Sequence, residues 1–329
     1  MYQNLSVNST LQTSQRTPLA ICFGEDQPDI KATRVTAYTI ILLVSLIGNS
    51  LVIGVLCQDR KMRKPVNYLM AEMAAADLAI TVVYTPRMIS AVTRSYEWLV
   101  GGTLGLILCK IVPPLHLVSI KVSILTLVFL SVERFLAVSP LTRKKLTVRS
   151  VKVIIGCVWL VSSAVHIPNI YGLKLRPGQG GAKICVAYLN KIFGSSKGRR
   201  IYDNVLAVTF YAIPLCVIVL LYTLAAFKLR RRNASGREEL ADGKICKRAK
   251  DKMNANVFKM LFAMTLAFIC CWLSYFIMRK GIIGTRIPCN VQFIRYFLAH
   301  TICIRFGTCK VRRFALASLS STVPLFCFR

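Results

Sequence analysis

Long blocks of apolar residues are the feature that most restricts how this chain can fold. Blocks of about twenty such residues, the length that crosses a bilayer as a helix, recur without strand-like alternation or a one-sided helical stripe. Hydrophobic residues make up 55% of the 329 residues and charged residues only 17%, against about 25% charged in soluble domains. Because backbone polar groups in lipid must be paired within their own segment, these blocks predict an all-α membrane protein.

Seven spans are predicted from these blocks. They lie near 36–57, 66–90, 107–138, 151–171, 202–227, 255–278 and 289–307. The seventh is interrupted by Arg295 and Arg305, so it is expected to be atypical. The chain divides accordingly into an N-terminal tail, 1–35, a seven-helix transmembrane domain, 36–307, and a short basic tail, 308–329.

Lysine and arginine residues are concentrated in alternate connections between the predicted spans. The first, third and fifth connections are the rich ones, with residues such as Arg60, Lys144 and Arg231. Since cytoplasmic loops carry this excess, these connections face the cytosol and the amino terminus is extracellular. The sequons at Asn4 and Asn8 predict glycosylation on that outer side.

Several function classes are disfavoured by the same sequence. The chain has 44 basic and 13 acidic residues, but the basic residues stand in short runs between apolar blocks, so no nucleic-acid partner is expected. No Walker-type glycine loop, HExxH motif or metal-spaced cluster of cysteine and histidine occurs. The halves of the chain also lack the hydropathy symmetry that is typical of a secondary transporter.

The fourth connection, 172–201, is extracellular by this count and yet strongly basic. Its cations are Lys174, Arg176, Lys183, Lys191, Lys197, Arg199 and Arg200, and it contains no acidic residue. Such a segment is either a solvated basic loop or a positive vestibule that attracts an anionic ligand.

A set of short motifs in the first six spans has the order and spacing of one known family. The motifs are Gly48-Asn49, Ala75-Ala76-Asp77-Leu78, Cys109, Ser131-Val132-Glu133-Arg134-Phe135, Trp159, Pro214 with Tyr222, and Phe268 with Cys271-Trp272. Over about 35–300 the chain therefore resembles the rhodopsin-like (class A) G-protein-coupled receptors, and in particular their peptide-binding members. The resemblance implies a seven-helix receptor of the plasma membrane that binds an extracellular ligand, activates heterotrimeric G proteins and is not an enzyme.

The resemblance also implies two disulfides on the outer side. One joins Cys109, at the start of the third span, to Cys185 in the fourth connection. The other joins Cys22 to Cys289, as in several peptide-binding members. Both pairs lie in the oxidising extracellular compartment, where disulfides persist.

Further functional residues follow from the same resemblance. G-protein coupling is implied for Glu133, Arg134 and Tyr222, with the glutamate holding the arginine at rest. The activation switch is implied for Ile124, Pro214, Phe268 and Trp272. An allosteric sodium ion is implied at Asp77, with Asn49 and Ser123 as further ligands. The alternative is a protonated interior aspartate with a structural role, and no other cofactor is expected.

The ligand is expected to be a peptide with acidic groups or another anionic molecule. Contacts are expected at Arg87, His116, Lys121, Trp272, Tyr275 and Phe276. His116 stands where amine receptors carry an acid, which disfavours a biogenic amine. Arg87 and Lys121 are cations inside spans, where charge is costly and usually functional. The alternative for Lys121 is a pairing with Glu72 or with another interior group.

The chain departs from the family pattern in its switching machinery. Asn254 replaces the usual acid at the foot of the sixth span, and Ser274 replaces the proline that usually follows Trp272. After Thr301 the Asn-Pro-x-x-Tyr signature is absent, through genuine divergence, a shifted reading frame or an alternative exon. Two functions therefore stay open, namely a signalling receptor and a truncated, non-signalling receptor that acts as a dimer partner or a ligand sink.

Overall fold

Five membrane-spanning helices form the part of the chain that the structure describes. The computed structural model describes residues 27–60, 63–94, 97–138, 146–178 and 181–234, together with 262 and 266. Within these residues the helices long and apolar enough to cross a membrane are Pro28–Gln58, Pro65–Thr93, Gly102–Ala137, Val148–Gly172 and Ser196–Lys228, called here the first to fifth spans. The predicted sixth and seventh spans lie outside the described residues, apart from Phe262 and Leu266, which are helical.

Three of the spans contain an interruption in their regular helix. The second consists of Pro65–Ala79, a π-helical segment Ile80–Tyr84 and Thr85–Thr93. The fourth consists of Val148–Ala164 and Ile167–Gly172, and the fifth of Ser196–Ala207, a π-helical segment Val208–Ala212 and Ile213–Ala234. The third helix, Gly102–Val138, continues through Pro113 and Pro114.

The first helix begins at Pro28, so residues 28–35 belong to it and not to the predicted N-terminal tail. Hydropathy placed the start at 36 because it reports only the part of a helix that lies in lipid. Proline suits the first position of a helix, where no N–H bond is needed, and Asp29 in the first turn complements the helix dipole. The fifth span likewise begins early, at Ser196, where the Ser195 hydroxyl accepts a hydrogen bond from the Gly198 N–H (3.0 Å).

The third span occupies the centre of this bundle. Its most apolar stretch is 67% buried, against 22% in the fourth and fifth spans, and it packs against the second, fourth and fifth spans. The main core cluster consists of Leu69, Met73, Ile80, Ile120, Ile124, Leu127, Leu130, Val151, Ile218 and Tyr222. Large apolar side chains such as Ile47, Leu160 and Phe227 are exposed on the outside of the bundle, where lipid tails would cover them.

A two-stranded antiparallel hairpin closes the outer side of the third span. Strand β1 is Leu173–Pro177 and strand β2 is Lys183–Ala187, with Leu175 opposite Cys185. Cys185 forms a disulfide with Cys109, and the two Cα atoms are 5.7 Å apart. The predicted bridge is therefore confirmed, and it ties the hairpin to the third span.

Loss of this bridge should destabilise the outer face. We expect Cys109→Ala and Cys185→Ala each to lower the melting temperature and to abolish ligand binding at the cell surface, since losing a native disulfide costs about 2–5 kcal/mol in small secreted domains. Thermal unfolding of the purified protein measures the first effect, and ligand binding to intact cells, normalised by surface staining, measures the second. Cys216→Ala removes an exposed free cysteine from the fifth span and serves as the control. Equal behaviour of the Cys185 and Cys216 variants would contradict the prediction.

Candidate functional site

Arg87, near the outer end of the second span, is held by the first outer connection. Its guanidinium carbon lies 4.9 Å from the centre of the Trp98 ring. Its Nη1 donates to the Ser90 hydroxyl (3.1 Å) and to the Glu97 carbonyl (3.3 Å). The Trp98 indole N–H donates in turn to the Gly105 carbonyl (3.0 Å). Arg87 thus braces Trp98 against the start of the third span, and a ligand contact at Arg87 stays a prediction.

His116 stacks on Tyr84, the last residue of the π-helical segment in the second span. The two ring centres are 3.8 Å apart and the ring planes differ by 2°. His116 is buried. A π-helical segment adds one residue to a helical turn and is frequent at functional sites. The predicted ligand contact at His116 therefore lies in an aromatic stack between the second and third spans.

Lys121 is buried and lies between three spans. Its Nζ is 2.6 Å from His166 Nε2, and both side chains are 2% exposed. The same Nζ is 5.7 Å from the ring centres of Phe210 and of Tyr211, in the π-helical segment of the fifth span. Lys121 thus links the third span to the fourth and to the fifth.

The contact with His166 extends outward as a chain of polar side chains. Asn169 Nδ2 lies 3.0 Å from His166 Nδ1 and donates to the Tyr202 hydroxyl (3.0 Å). The Tyr202 hydroxyl donates to the Val165 carbonyl (2.6 Å). Sequence reasoning missed His166, Asn169 and Tyr202 as site residues. The available signal was a histidine inside an apolar span, which is costly unless it is paired.

Glu72 pairs with Trp159 and not with Lys121, the partner considered for it in the sequence analysis. Its carboxylate accepts a hydrogen bond from the Trp159 indole N–H, across the second and fourth spans. Lys121 hydrogen-bonds to His166, so the structure favours an interior group other than Glu72 as its partner.

Asp77 lies in a polar network between the first and second spans. Asn49 Nδ2 donates to the Ser45 hydroxyl (3.1 Å), and the Ser45 and Thr81 hydroxyls are 2.6 Å apart. Because Thr81 donates its hydrogen to the Asp77 carbonyl (2.7 Å), Ser45 is the donor to Thr81. Asp77 itself is buried, with only 3% of its surface exposed.

Two buried oxygen atoms are of the kind that would bind the implied sodium ion. Asn49 Oδ1 and Ser123 Oγ are buried and accept or donate no hydrogen bond within the described residues. Ala76 and Val122, the chain neighbours of Asp77 and Ser123, pack in one cluster. A carboxylate with amide and hydroxyl oxygens is the kind of donor set that hard cations prefer. Asp77, Asn49 and Ser123 would hold the ion.

Glu133 and Arg134 form an ion pair at the cytosolic end of the third span. Arg134 Nε lies 2.5 Å from Glu133 Oε2, and each side chain is 15% exposed. Lys228 of the fifth span lies with its Nζ 4.3 Å from the centre of the Phe135 ring. The predicted interaction of Glu133 with Arg134 is thus present in the geometry of this state.

Two of the implied switch residues, Ile124 and Pro214, lie among the described residues, together with Tyr222, which is implied in G-protein coupling. Ile124 and Tyr222 belong to the main core cluster, and the Tyr222 ring meets Phe262 edge to face at 6.2 Å. Pro214 is buried and follows the π-helical segment Val208–Ala212 after one residue. Proline has no N–H for the preceding turn, and the wider π-helical turn is where the fifth span accommodates it.

The remaining predicted site residues lie outside the described part of the chain and stay predictions. They are Cys22, Cys289, Asn4, Asn8, Phe268, Trp272, Tyr275 and Phe276.

Comparison with known proteins identifies the family. A family profile described as "7 transmembrane receptor (rhodopsin family)" matches residues 48–311, well past Thr301 where the signature is lost. The chain belongs to this family of seven-transmembrane receptors. It is accordingly a seven-helix, multi-pass protein of the plasma membrane, and a receptor and not an enzyme.

Three receptors illustrate the similarity within the family. Neuropeptide FF receptor 2 of Rattus norvegicus is 27% identical over 75% of this chain and 59% of that receptor. A QRFP-like peptide receptor of Branchiostoma floridae is 29% identical over 83% of this chain and 70% of that receptor. Neuromedin-U receptor 2 of Homo sapiens is 30% identical over 74% of this chain and 57% of that receptor. The match thus spans less than two thirds of the rat and human receptors.

The Lys121–His166 contact can be tested by a double-mutant cycle. We expect His166→Ala to lower the melting temperature more than Lys121→Met, because it removes the hydrogen-bond partner of the buried Lys121 nitrogen, a loss of about 1–3 kcal/mol. Methionine instead fills the volume of the lysine without its polar end. The double variant should lose less than the sum of the single losses. Lys152→Met, at an exposed lysine, is the control, and strictly additive losses would rule the coupling out.

Proposed function

We propose that this protein is activated by an extracellular peptide and catalyses nucleotide exchange on a heterotrimeric G protein. The observation that carries the proposal is the Glu133–Arg134 ion pair at the cytosolic end of the central span. A pair that holds Arg134 favours a closed state, and a ligand opens it only by binding the open state more tightly. The similarity to a neuropeptide FF receptor and to a QRFP-like peptide receptor supports a peptide ligand.

The distance between the two ends of the third span indicates that ligand binding acts on the cytosolic end indirectly. His116 and Arg134 are 18 residues apart in sequence, which corresponds to about 27 Å of helix. Ile124 and Tyr222 lie in the packed core between them. A ligand at the outer end therefore has to act on the cytosolic end by repacking this core, since no single side chain spans the distance.

The proposed ligand is a peptide with acidic groups and not a biogenic amine. His116 holds the third-span position at which amine receptors carry a carboxylate, and it stacks on Tyr84. Without a carboxylate at that position, an amine ligand has no anion to pair with there. The basic fourth connection supplies charge of the opposite sign, which attracts anionic ligands.

We also propose that sodium binds at Asp77 and modulates the receptor. The support is the pair of buried oxygens, Asn49 Oδ1 and Ser123 Oγ, which lack hydrogen-bond partners within the described residues. An ion that binds one state of the receptor stabilises that state by mass action.

Nucleotide exchange by the purified receptor and a G protein tests the coupling proposal. We expect Glu133→Gln to raise the basal rate of exchange up to about five-fold, the limit for a partly exposed ion pair, because Arg134 is released. Arg134→Ala should abolish peptide-stimulated exchange and leave peptide binding largely intact. Uptake of a labelled GTP analogue and a binding assay measure the two effects.

The control for this experiment is Arg149→Ala, which removes an exposed cytosolic arginine of the fourth span. Equal loss of binding and exchange in Arg134→Ala would mean that this variant misfolds. A receptor that reaches the cell surface but supports no exchange, either basal or with any peptide of a synthetic library, would support the non-signalling alternative instead.

The sodium proposal predicts an ion-specific shift in stability. Replacing potassium by sodium at constant ionic strength should raise the melting temperature by a few degrees, since a tenfold excess over Kd stabilises by about 1.4 kcal/mol. Asp77→Asn and Ser123→Ala should remove this shift. Ser162→Ala, at another buried serine whose hydroxyl lacks a partner within the described residues, should retain it. An equal response to sodium and potassium in the unaltered receptor would exclude the site.

A further inference from the structure

We infer that the outer face of the β1–β2 hairpin binds an extended acidic segment of the peptide ligand, with carboxylates at alternate positions. The inference rests on the proposed peptide function and specifies where and how the ligand is recognised. It moves the anion-attracting surface from Arg87, which is engaged with Trp98, to two cations of strand β1.

The register of the hairpin places these two cations on one face. Alternate residues of a strand point to the same side, so Lys174 and Arg176 share a face, and both are exposed. They lie opposite Val186 and Ile184, respectively, which are half-buried. The face therefore combines one ammonium group and one guanidinium group with two branched apolar side chains.

The other face of the hairpin is fixed against the bundle. Leu173 and Leu175 pack in one cluster with Trp98 and Cys109, and the disulfide of Cys185 ties β2 to the third span. A slip of one residue in the register would exchange the two faces. Because the disulfide and this cluster prevent such a slip, Lys174 and Arg176 are held on the outer face.

The surroundings of this face are positive as well. The Arg176 guanidinium carbon and the Lys191 ammonium lie 5.6 and 5.7 Å from the centre of the same Tyr188 ring. Within the described residues no carboxylate forms a salt bridge with Lys174 or Arg176, whereas Arg199 approaches Asp203 at 3.8 Å. The segment 172–201 contains no acidic residue at all. The complementary partner is therefore an anion.

The spacing of the two cations defines the geometry of that partner. Residues two apart on a strand are separated by about 6.6 Å. An extended peptide with acidic residues at alternate positions has the same repeat, so its carboxylates match both cations at once. Opposite charges matched in this way attract each other and set the register of the two partners. The apolar stems of such a peptide would lie over Ile184 and Val186.

Peptide binding to the full chain tests this inference. The receptor is placed in phosphatidylcholine nanodiscs, and the probe is a short fluorescent peptide in which glutamate alternates with threonine. We expect Lys174→Gln combined with Arg176→Gln to weaken binding about ten-fold, since two exposed ion pairs contribute a factor of up to about five each. The association rate should also lose much of its salt dependence.

Three controls separate this face from general electrostatics. Lys64→Gln combined with Arg149→Gln removes the same charge from exposed residues on the cytosolic side and should leave binding unchanged. A peptide of identical composition, with its glutamates in one block followed by its threonines, should bind more weakly. In Lys174→Glu combined with Arg176→Glu, a lysine–threonine peptide should replace the glutamate–threonine peptide as the tighter ligand.

Several results would overturn the inference. Equal binding of a glutamine–threonine peptide, or an equal loss in the cytosolic control variant, would show that the hairpin cations do not select acids. Displacement of the probe by phosphatidylserine in the nanodisc would assign the face to lipid headgroups. Failure of the acidic probe with intact peptide-driven nucleotide exchange would remove this inference alone. Probe binding at the hairpin without exchange by any peptide would instead remove the proposed function.

Discussion

A polar side chain inside the bilayer has no water to bind, so each buried polar group of this receptor needs its partner within the bundle. Lipid tails are as apolar as leucine, and therefore the hydrophobic effect does not decide which helix faces meet. Close packing and polar contacts decide this together, and the polar contacts cross several pairs of spans. Ser45 meets Thr81 across the first and second spans, the Glu72 carboxylate accepts from Trp159 of the fourth, and Lys121 contacts His166.

The central third span connects the two sides of the membrane. Each of the two π-helical segments in the described residues places aromatic rings beside a basic side chain of the third span. Tyr84 of the second span stacks on His116, and the rings of Phe210 and Tyr211 in the fifth lie near Lys121. The two π-helical segments therefore determine which aromatic side chains surround these basic residues.

The outer hairpin shows how one covalent bond fixes a recognition surface. Without the bridge of Cys185 to Cys109, the hairpin would be attached only by the packing of its leucines and by backbone contacts such as that of the Trp98 N–H with the Lys183 carbonyl (2.6 Å). With the bridge in place, the register of the strands is fixed, and so is the face on which each strand residue lies. The exposed cations of β1 thus form a defined pattern, whereas in a mobile loop the same residues would only contribute net charge.

The sequence alone determined the helical spans, their orientation and the family, because these depend on local sums of hydropathy and charge and on motif spacing. It also supplied the Cys109–Cys185 bridge and the Glu133–Arg134 pair, through residues that match the family motifs. It did not determine the start of the first helix at Pro28, since polar helical turns outside the lipid carry no hydropathy signal.

Only the tertiary structure decided the partners of Arg87, Lys121 and Glu72. Each of these side chains has several chemically acceptable partners in the sequence. The choice depends on how the helices rotate and cross, so that His166 and not Glu72 reaches Lys121, and Trp98 reaches Arg87. Rotation and crossing are set by packing over whole helix faces. No single stretch of sequence contains that information.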